Sequence, residues 1–132
     1  MPKTVEIKWL GDVEEHDYPA AKSYLSLLFD EAAAESLVKH LRRAAITEFK
    51  AKDIFRASGA SLLGISNSHV ERDRKKVKEG RALSPLLLVS HTALGKVIIA
   101  DGYHRLCAIF GYDEDAVIPC KIIVAEGPRP GT

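Results

Sequence analysis

The spacing of apolar residues changes its period along the chain, and each period predicts a different kind of element. Over 5–9, apolar residues alternate with charged ones, as is typical of a half-buried strand. An acidic loop over 12–17 follows. Between residues 20 and 45, apolar residues recur at helical spacing in two stretches, and Asp30 is placed to cap the second. The first part of the chain is therefore predicted to form one strand and two amphipathic helices.

Two more helices are predicted in the middle of the chain. A short helix over 49–57 ends at Gly59, which suits the left-handed position that follows many helices. The next helix begins at Ser68, because Ser68 and Glu71 have the S-x-x-E form of a capping box, and it stops at Gly80. Basic residues outnumber acidic ones in this second helix. We expect most of its surface to face solvent.

Beyond residue 84 the pattern changes to strands. Continuous apolar runs over 86–89 and 97–100 predict strands that are covered on both faces. A third run over 117–124 predicts a last strand, in which Pro119 favours an edge position or a bulge. These strands and the preceding helices indicate an α+β fold.

A last helix is predicted over 103–110, closed by Gly111. With it, the whole chain of 132 residues is expected to form a single domain. Its parts are an N-terminal strand with helices over 1–50, a core over 51–126, and a flexible Pro/Gly-rich tail over 127–132.

Composition narrows the class of protein. Hydrophobic residues make up 46% and charged residues 28% of the chain, which excludes disordered and collagen-like sequences. No apolar run is long enough to cross a membrane and no signal peptide is recognisable, so we expect a cytoplasmic protein without a membrane partner. Cys107 and Cys120 are too few for a disulfide framework. The formal net charge of +1 argues against a surface built entirely for nucleic acid.

Candidate chemistry is concentrated in Asp101-Gly102-Tyr103-His104-Arg105, where a predicted buried strand ends and a helix begins. A helix N-terminus offers unpaired N–H groups and the positive end of the helix dipole, and glycine allows a ligand to approach the backbone. His104 and Arg105 add donors that suit phosphate. In the alternative interpretation, His104 is a packed histidine and Arg105 an ion-pair partner. For Asp101 the alternatives are a helix cap, a catalytic base and a magnesium ligand.

Part of the chain resembles the ParB N-terminal domain and sulfiredoxin superfamily. The family motif is a G-x-[HR]-R helix start followed by a strand with Ile/Val-Pro, and it is matched by Gly102-Tyr103-His104-Arg105 and Ile118-Pro119. The segment 83–89 is similar to the strand that leads into this motif, and 66–70 lies where these domains carry an Asn-containing loop. The resemblance covers 54–124. It implies a ParB/sulfiredoxin-like mixed small sheet with helices, here with an extra N-terminal helical segment.

The resemblance implies a nucleotide pocket, because members of this superfamily hold cytidine or adenosine triphosphate on the same turn. Carried over residue by residue, the phosphate-binding turn comprises Gly102, Tyr103, His104 and Arg105, with secondary contacts from Ser66, Asn67 and His69. The expected cofactor is a nucleoside di- or triphosphate with Mg²⁺. Phosphoryl transfer or nucleotide hydrolysis is the expected chemistry, with Asp101 and His104 as candidate catalytic residues.

Departures from the family pattern argue against two of its activities. Sulfiredoxin chemistry needs a cysteine where this chain has Tyr103, so we expect no sulfinic acid reductase. Chromosome-partitioning proteins add a helix-turn-helix domain and a dimerisation domain, for which 132 residues have no room. We therefore expect a stand-alone ParB-like domain.

The sequence is also compatible with other functions and partners. The first alternative is a non-enzymatic module that contacts nucleic acid or another partner weakly through its basic helix, by Arg72, Arg74, Lys75, Lys76 and Lys78. The second is a ParB-like nuclease. The apolar helices over 20–45 are either core cover or an oligomer surface. No metal site is expected, because the histidines lack metal-binding spacing and the acidic run 113–115 is typical of a solvated turn.

Overall fold

A four-stranded mixed sheet lies between two groups of helices in the computed structural model, which describes residues 6–62 and 67–125. The described residues form five helices and four strands, so the expected α+β class is confirmed. In chain order these elements are α1 (Asp17–Leu25), α2 (Glu31–Arg43), β1 (Thr47–Lys50), α3 (Ala51–Ser58), α4 (Ser68–Lys78), β2 (Leu86–His91), β3 (Lys96–Asp101), α5 (Tyr103–Tyr112) and β4 (Val117–Ala125).

The strand order is β1-β4-β2-β3, which places β3 at one edge of the sheet. Strands β4 and β2 are parallel, with Leu86 beside Cys120, and the two outer pairs are antiparallel. Leu86 to Val89 are all buried, as the continuous apolar run predicts. Leu87 and Val89 pack on one face with α1 and α2, and Leu86 and Leu88 pack on the other with α3 and α5. Both faces of the sheet are thus covered.

A β-bulge at Ala100 interrupts the alternation of side chains along β3. Leu87 pairs with Asp101 whereas its neighbour Leu88 pairs with Ile99, so Ala100 is the extra residue. A bulge turns the following side chain to the opposite face of the sheet. Asp101 therefore points to the α1 side of the sheet rather than to the side of Ile99.

A buried lysine joins both helices of the first group to the sheet. Lys121 on β4 is 4% exposed, and its Nζ donates to the Tyr18 hydroxyl at 3.0 Å and to the Arg42 carbonyl at 2.9 Å. Burial acts to lower the pKa of Lys121, but its partners Tyr18 and Asp12 outweigh burial and raise it. The lysine therefore stays charged and fixes the end of α1 that carries Asp17.

Several predicted elements differ from the structure. The predicted N-terminal strand is a single bridge between Trp9 and Leu83, and Val5 lies outside the described residues. Phe49 belongs to strand β1 and not to a helix, because 47–50 pairs with β4. Helix α5 continues through Gly111 to Tyr112 instead of closing at the glycine.

The expected position of Pro119 at a sheet edge is wrong, since β4 is an inner strand. Pro119 pairs with Glu48 of β1, but pairing with β2 begins only at Cys120. At the position of the proline, β4 therefore has a strand on one side only. A missing N–H donor is tolerated where no second strand needs it.

Helix α4 begins at Ser68 as predicted, but its N-cap residue is not the one that the capping-box pattern indicates. Asn67 is the N-cap, and its side-chain oxygen accepts from the N–H groups of His69 at 2.9 Å and Val70 at 3.2 Å. Ser68 is the first helical residue, so the predicted pairing of Ser68 with Glu71 is wrong. Gly59 and Gly80 follow α3 and α4 with φ of +67° and +72°, as expected for glycines that end helices.

Replacing Asn67 by alanine should therefore destabilise the protein by about 1 kcal/mol, because two first-turn N–H groups lose their acceptor. Ser68→Ala is the matched control and should change the free energy of unfolding by a few tenths of a kcal/mol at most. Urea denaturation of both variants measures the difference. A larger loss for Ser68→Ala than for Asn67→Ala would contradict this cap.

Candidate functional site

A cleft of about 540 Å³ runs along the exposed edge of β3 and ends at the start of α5. One end of the cleft is formed by four consecutive residues, Asp101, Gly102, Tyr103 and His104. The opposite end lies at the β2–β3 turn. Apolar side chains from both ends of the cleft and from the α1 side line it, among them Tyr24, Leu28 and Leu94.

The apolar wall of the cleft explains a difference between predicted and observed burial in the first helical stretch. Tyr24 and Leu28, which the helical pattern assigns to an apolar face, are 45% and 51% exposed. The residues of α1 that are buried against the sheet are Tyr18, Ala21 and Leu25. Large apolar side chains on the wall of an open cleft are suited to contact an apolar or aromatic ligand group.

The N-terminus of α5 opens into this cleft without a capping side chain. Gly102 is the N-cap, with φ of +104°, and no side chain within 6–62 and 67–125 accepts from the first-turn N–H groups. By contrast, the Asp30 side chain caps α2 as predicted, accepting from the Ala33 N–H at 2.7 Å. Uncapped N–H groups and the positive end of the dipole together attract an anion.

His104 lies where the first turns of α4 and α5 meet. Its ring is 4.8 Å from the ring of His69, and Arg72 Nη2 is 2.8 Å from Nδ1 of His69. Burial lowers the pKa of His104, and the neighbouring His69 lowers it further, whereas Asp73 acts in the opposite direction. The structure thus brings together two of the predicted phosphate-site residues. A neutral His104 can donate one hydrogen bond and accept another.

Arg105 turns away from the cleft and contacts carboxylates behind the turn. Its Nη2 is 3.1 Å from Oδ2 of Asp101 and 3.5 Å from Oδ2 of Asp17. The side chain is 16% exposed. These contacts match the ion-pair alternative for Arg105. Arg105 is not among the residues that line the cleft, and its Nη2 is the atom that contacts both carboxylates.

Asp101 does not cap α5, because its Oδ2 accepts from Arg105. Burial raises the pKa of Asp101 to about 6; Arg105 opposes this rise and the nearby Asp17 adds to it. A group with a pKa close to neutrality suits proton transfer. The adjacent guanidinium repels a second cation, which favours the acid–base alternative for Asp101 over magnesium binding.

The sequence pattern gave no sign of two residues behind the turn, Asp17 and Ser84. Asp17 is 3% exposed, and its Oδ2 accepts from the Ser84 hydroxyl at 2.6 Å. Asp17 belongs to a run that is typical of a solvated acidic loop, and Ser84 precedes a proline at a strand start. Only the contact across 67 positions of sequence reveals their role.

The remaining predicted nucleotide contacts are divided between different environments. Tyr103 donates from its hydroxyl to the Ser61 carbonyl, and burial raises the pKa of Tyr103. Asn67 uses its side-chain oxygen as the α4 cap. Ser66 lies outside the described residues.

Part of the basic helix α4 is engaged within the protein. The guanidinium of Arg74 lies 4.1 Å above the Tyr112 ring, and Arg72 contacts His69. Lys76 is half-buried, and Lys75 and Lys78 are exposed. This arrangement leaves fewer basic side chains for nucleic acid than the sequence indicates.

No cluster of three or more His, Cys, Asp or Glu side chains able to hold a metal ion occurs within 6–62 and 67–125. In the acidic run, Asp115 pairs with Lys52 at 2.6 Å. The thiols of Cys107 and Cys120 are buried. Across the same described segments, no helix has the length and apolar character needed to cross a membrane.

No protein-family model, curated protein or solved structure matches this chain. The resemblance to the ParB and sulfiredoxin superfamily therefore stays a prediction from the motif.

Gly102→Ala should destabilise the protein by about 2 kcal/mol or more. The backbone φ of +104° disfavours any side chain, and an added Cβ would lie 2.7 Å from Leu86 Cγ and 2.8 Å from Arg105 Nη2. Gly95→Ala is the control, with φ of +64° and open space around the new methyl group, and should cost about 1 kcal/mol. Thermal and urea unfolding measure both. Equal losses would argue against close packing at Gly102.

Asp101→Asn should gain stability relative to the wild type as the pH rises. Because the folded state raises the pKa of Asp101 from 3.8 to about 6, folding favours the protonated form, and this group lowers wild-type stability between about pH 4 and 6. Asparagine does not titrate, so at pH 7.5 the variant should have gained about 2 kcal/mol relative to pH 4.5. Urea titrations at both values test this, with exposed Glu35→Gln as control. A pH-independent difference would contradict it.

Proposed function

We propose that this chain binds a nucleoside phosphate in the cleft beside β3, with the phosphate at the N-terminus of α5. The observation that carries the proposal is the uncapped first turn at Gly102, which opens into a cleft of about 540 Å³. A cleft of this size accommodates a small ligand, and neutral backbone N–H groups at a helix start suit an anionic one.

The charges near the turn support an anion at this end of the cleft. His104 lines the cleft. Its ring lies beside the ring of His69, and Arg72 contacts His69. Lys96 lines the cleft at the far end of β3. The charge of Arg105 is balanced by Asp101 and Asp17, so backbone N–H groups and His104 are the direct phosphate donors in this proposal.

The rest of the cleft suits a nucleoside better than a bare phosphate. Tyr24, Leu28 and Leu94 line the cleft and offer apolar surface to a base. The unpaired edge of β3 adds backbone donors and acceptors. The resemblance of 102–105 to the phosphate turn of the ParB and sulfiredoxin superfamily supports the same placement, and we propose that the fold is of that type.

The proposed reaction is phosphoryl transfer or hydrolysis of the nucleotide. Asp101 lines the cleft next to the phosphate turn and has a pKa near neutrality, which suits removal of a proton from the attacking hydroxyl or water. His104 is placed to stabilise the phosphate. Magnesium would accompany a triphosphate through its phosphate oxygens, and no side chain is assigned to it here.

Binding can be tested with ATP, ADP, CTP and GTP, each with and without MgCl₂. At least one nucleotide should raise the melting temperature, since a ligand at 100 times its Kd stabilises the folded state by about 2.7 kcal/mol. His104→Gln should weaken binding of that nucleotide about tenfold, which corresponds to the loss of one hydrogen bond. Calorimetric titration measures the affinity.

Two matched controls make this test specific to the cleft. His40→Gln makes the same change on exposed α2, and it should bind as the wild type does. Leu28→Asp should weaken nucleotide binding, whereas Leu27→Asp should not, because Leu27 is 81% exposed and does not line the cleft. No shift with any nucleotide, or unchanged affinity in both cleft variants, would overturn the proposal.

A further inference from the structure

A second carboxylate lies directly behind Asp101, outside the lining of the cleft. One guanidinium nitrogen, Nη2 of Arg105, is 3.1 Å from Oδ2 of Asp101 and 3.5 Å from Oδ2 of Asp17. The bulge at Ala100 and the start of α1 bring the two carboxyl groups to this nitrogen. We call Asp17 and Asp101 the carboxyl pair, and Arg105 its arginine.

The carboxyl pair has one more negative charge than its arginine can balance when both acids are ionised. The side chains of Asp17 and Asp101 are 4% and 20% exposed, so water screens this excess charge poorly. An unbalanced buried charge is costly, and binding one proton removes it. The two carboxyl groups are therefore expected to titrate as a pair that holds one proton over part of the pH range.

The Ser84 hydroxyl decides which carboxyl group holds this proton. Its oxygen accepts from the Glu14 N–H at 3.0 Å, and its own proton is donated to Oδ2 of Asp17 at 2.6 Å. A hydrogen bond donated to a carboxylate stabilises the ionised form. Asp17 is thus held as an acceptor, which leaves the proton to Asp101.

We propose that Asp17 is a positioning residue for Asp101: with Ser84 and Arg105 it keeps the exchangeable proton of the pair on Asp101, at the wall of the cleft. The use of Asp101 as a catalytic base, after this proton has left it, rests on the proposed function, whereas the location of the proton does not. The direction of the Asp101 pKa shift agrees with this assignment, since burial is its main cause and Asp17 contributes to it.

Other ionisable groups near the pair belong to different elements. Nε2 of His16, at the start of α1, is 3.3 Å from Oδ1 of Asp17, and this imidazole is 74% exposed. Asp73 on α4 interacts electrostatically with Arg105. Protonated His16 adds to the stabilisation of ionised Asp17, in the same direction as Ser84.

The test is a ¹³C NMR titration of the aspartate carboxyl groups in the full chain. In the wild type, the proton that is taken up near pH 6 should be found on Asp101. In Asp17→Asn, the midpoint of Asp101 should fall by about one pH unit or more, because the neighbouring negative charge is gone. In Ser84→Ala, the higher midpoint should move from Asp101 to Asp17. The control Glu35→Gln, on the exposed face of α2, should leave the Asp101 midpoint unchanged.

The wild-type titration alone can overturn the inference, whatever happens to the folding of the variants. If Asp17 titrates at a higher pH than Asp101, the proton is on the wrong carboxyl group. An unchanged Asp101 midpoint in folded Asp17→Asn would also overturn it. Adding ATP, ADP, CTP or GTP to the same samples separates the two proposals. If none of them binds and the proton is found on Asp101, only the nucleotide site is rejected. If one of them binds and the proton is found on Asp17, only the positioning role is rejected.

Discussion

The ion contacts of Arg105 are the constraint on which the region around the cleft depends. They join α5 to β3 through Asp101 and to α1 through Asp17, across a large separation in sequence. Loss of the guanidinium would leave the buried carboxylate of Asp17 beside the half-buried carboxylate of Asp101 without a cation. Breaking a fully buried pair typically costs about 3–5 kcal/mol, and the partial exposure of Asp101 reduces this cost. The arginine that the sequence motif assigns to a ligand is therefore first a structural link. The apolar layers of the sheet cannot replace it, because they leave the charges of α1 and β3 unmatched.

The ion contacts of Arg105 require close packing of the backbone between β3 and α5. Arg105 reaches Asp101 only because α5 starts immediately after β3, and Gly102 makes this turn beside Leu86 without room for a Cβ. The bulge at Ala100 then aims Asp101 at α1. On the other side, Lys121 fixes Tyr18 next to Asp17. Each feature has a local cause, but together they determine where the carboxyl pair lies relative to the cleft.

Much of the fold could be predicted from local pattern, and the parts that could not depend on distant contacts. The apolar runs predict β2, β3 and β4, because a strand that is buried on both faces has an unbroken run of apolar residues. The turn between β3 and α5 is also predicted, because the apolar run ends at a glycine. The inner position of β4 could not be predicted from its sequence, because Pro119 favours an edge. The proline is tolerated because pairing with β2 starts one residue later. Asp17 was missed because its partners Ser84 and Arg105 are remote in sequence, and no periodicity marks such a contact.

Local features that reduce stability coincide at the end of β3. Helices α2 and α4 have side-chain caps from Asp30 and Asn67, whereas α5 begins at a glycine with φ of +104° and no cap. In the same place the strand is bulged, and a buried and a half-buried carboxyl group share one guanidinium. Nε of this arginine, Arg105, has no hydrogen-bond partner among the described residues. Selection for stability alone would remove such features, so their concentration beside an open cleft is an argument for function that does not depend on the sequence motif.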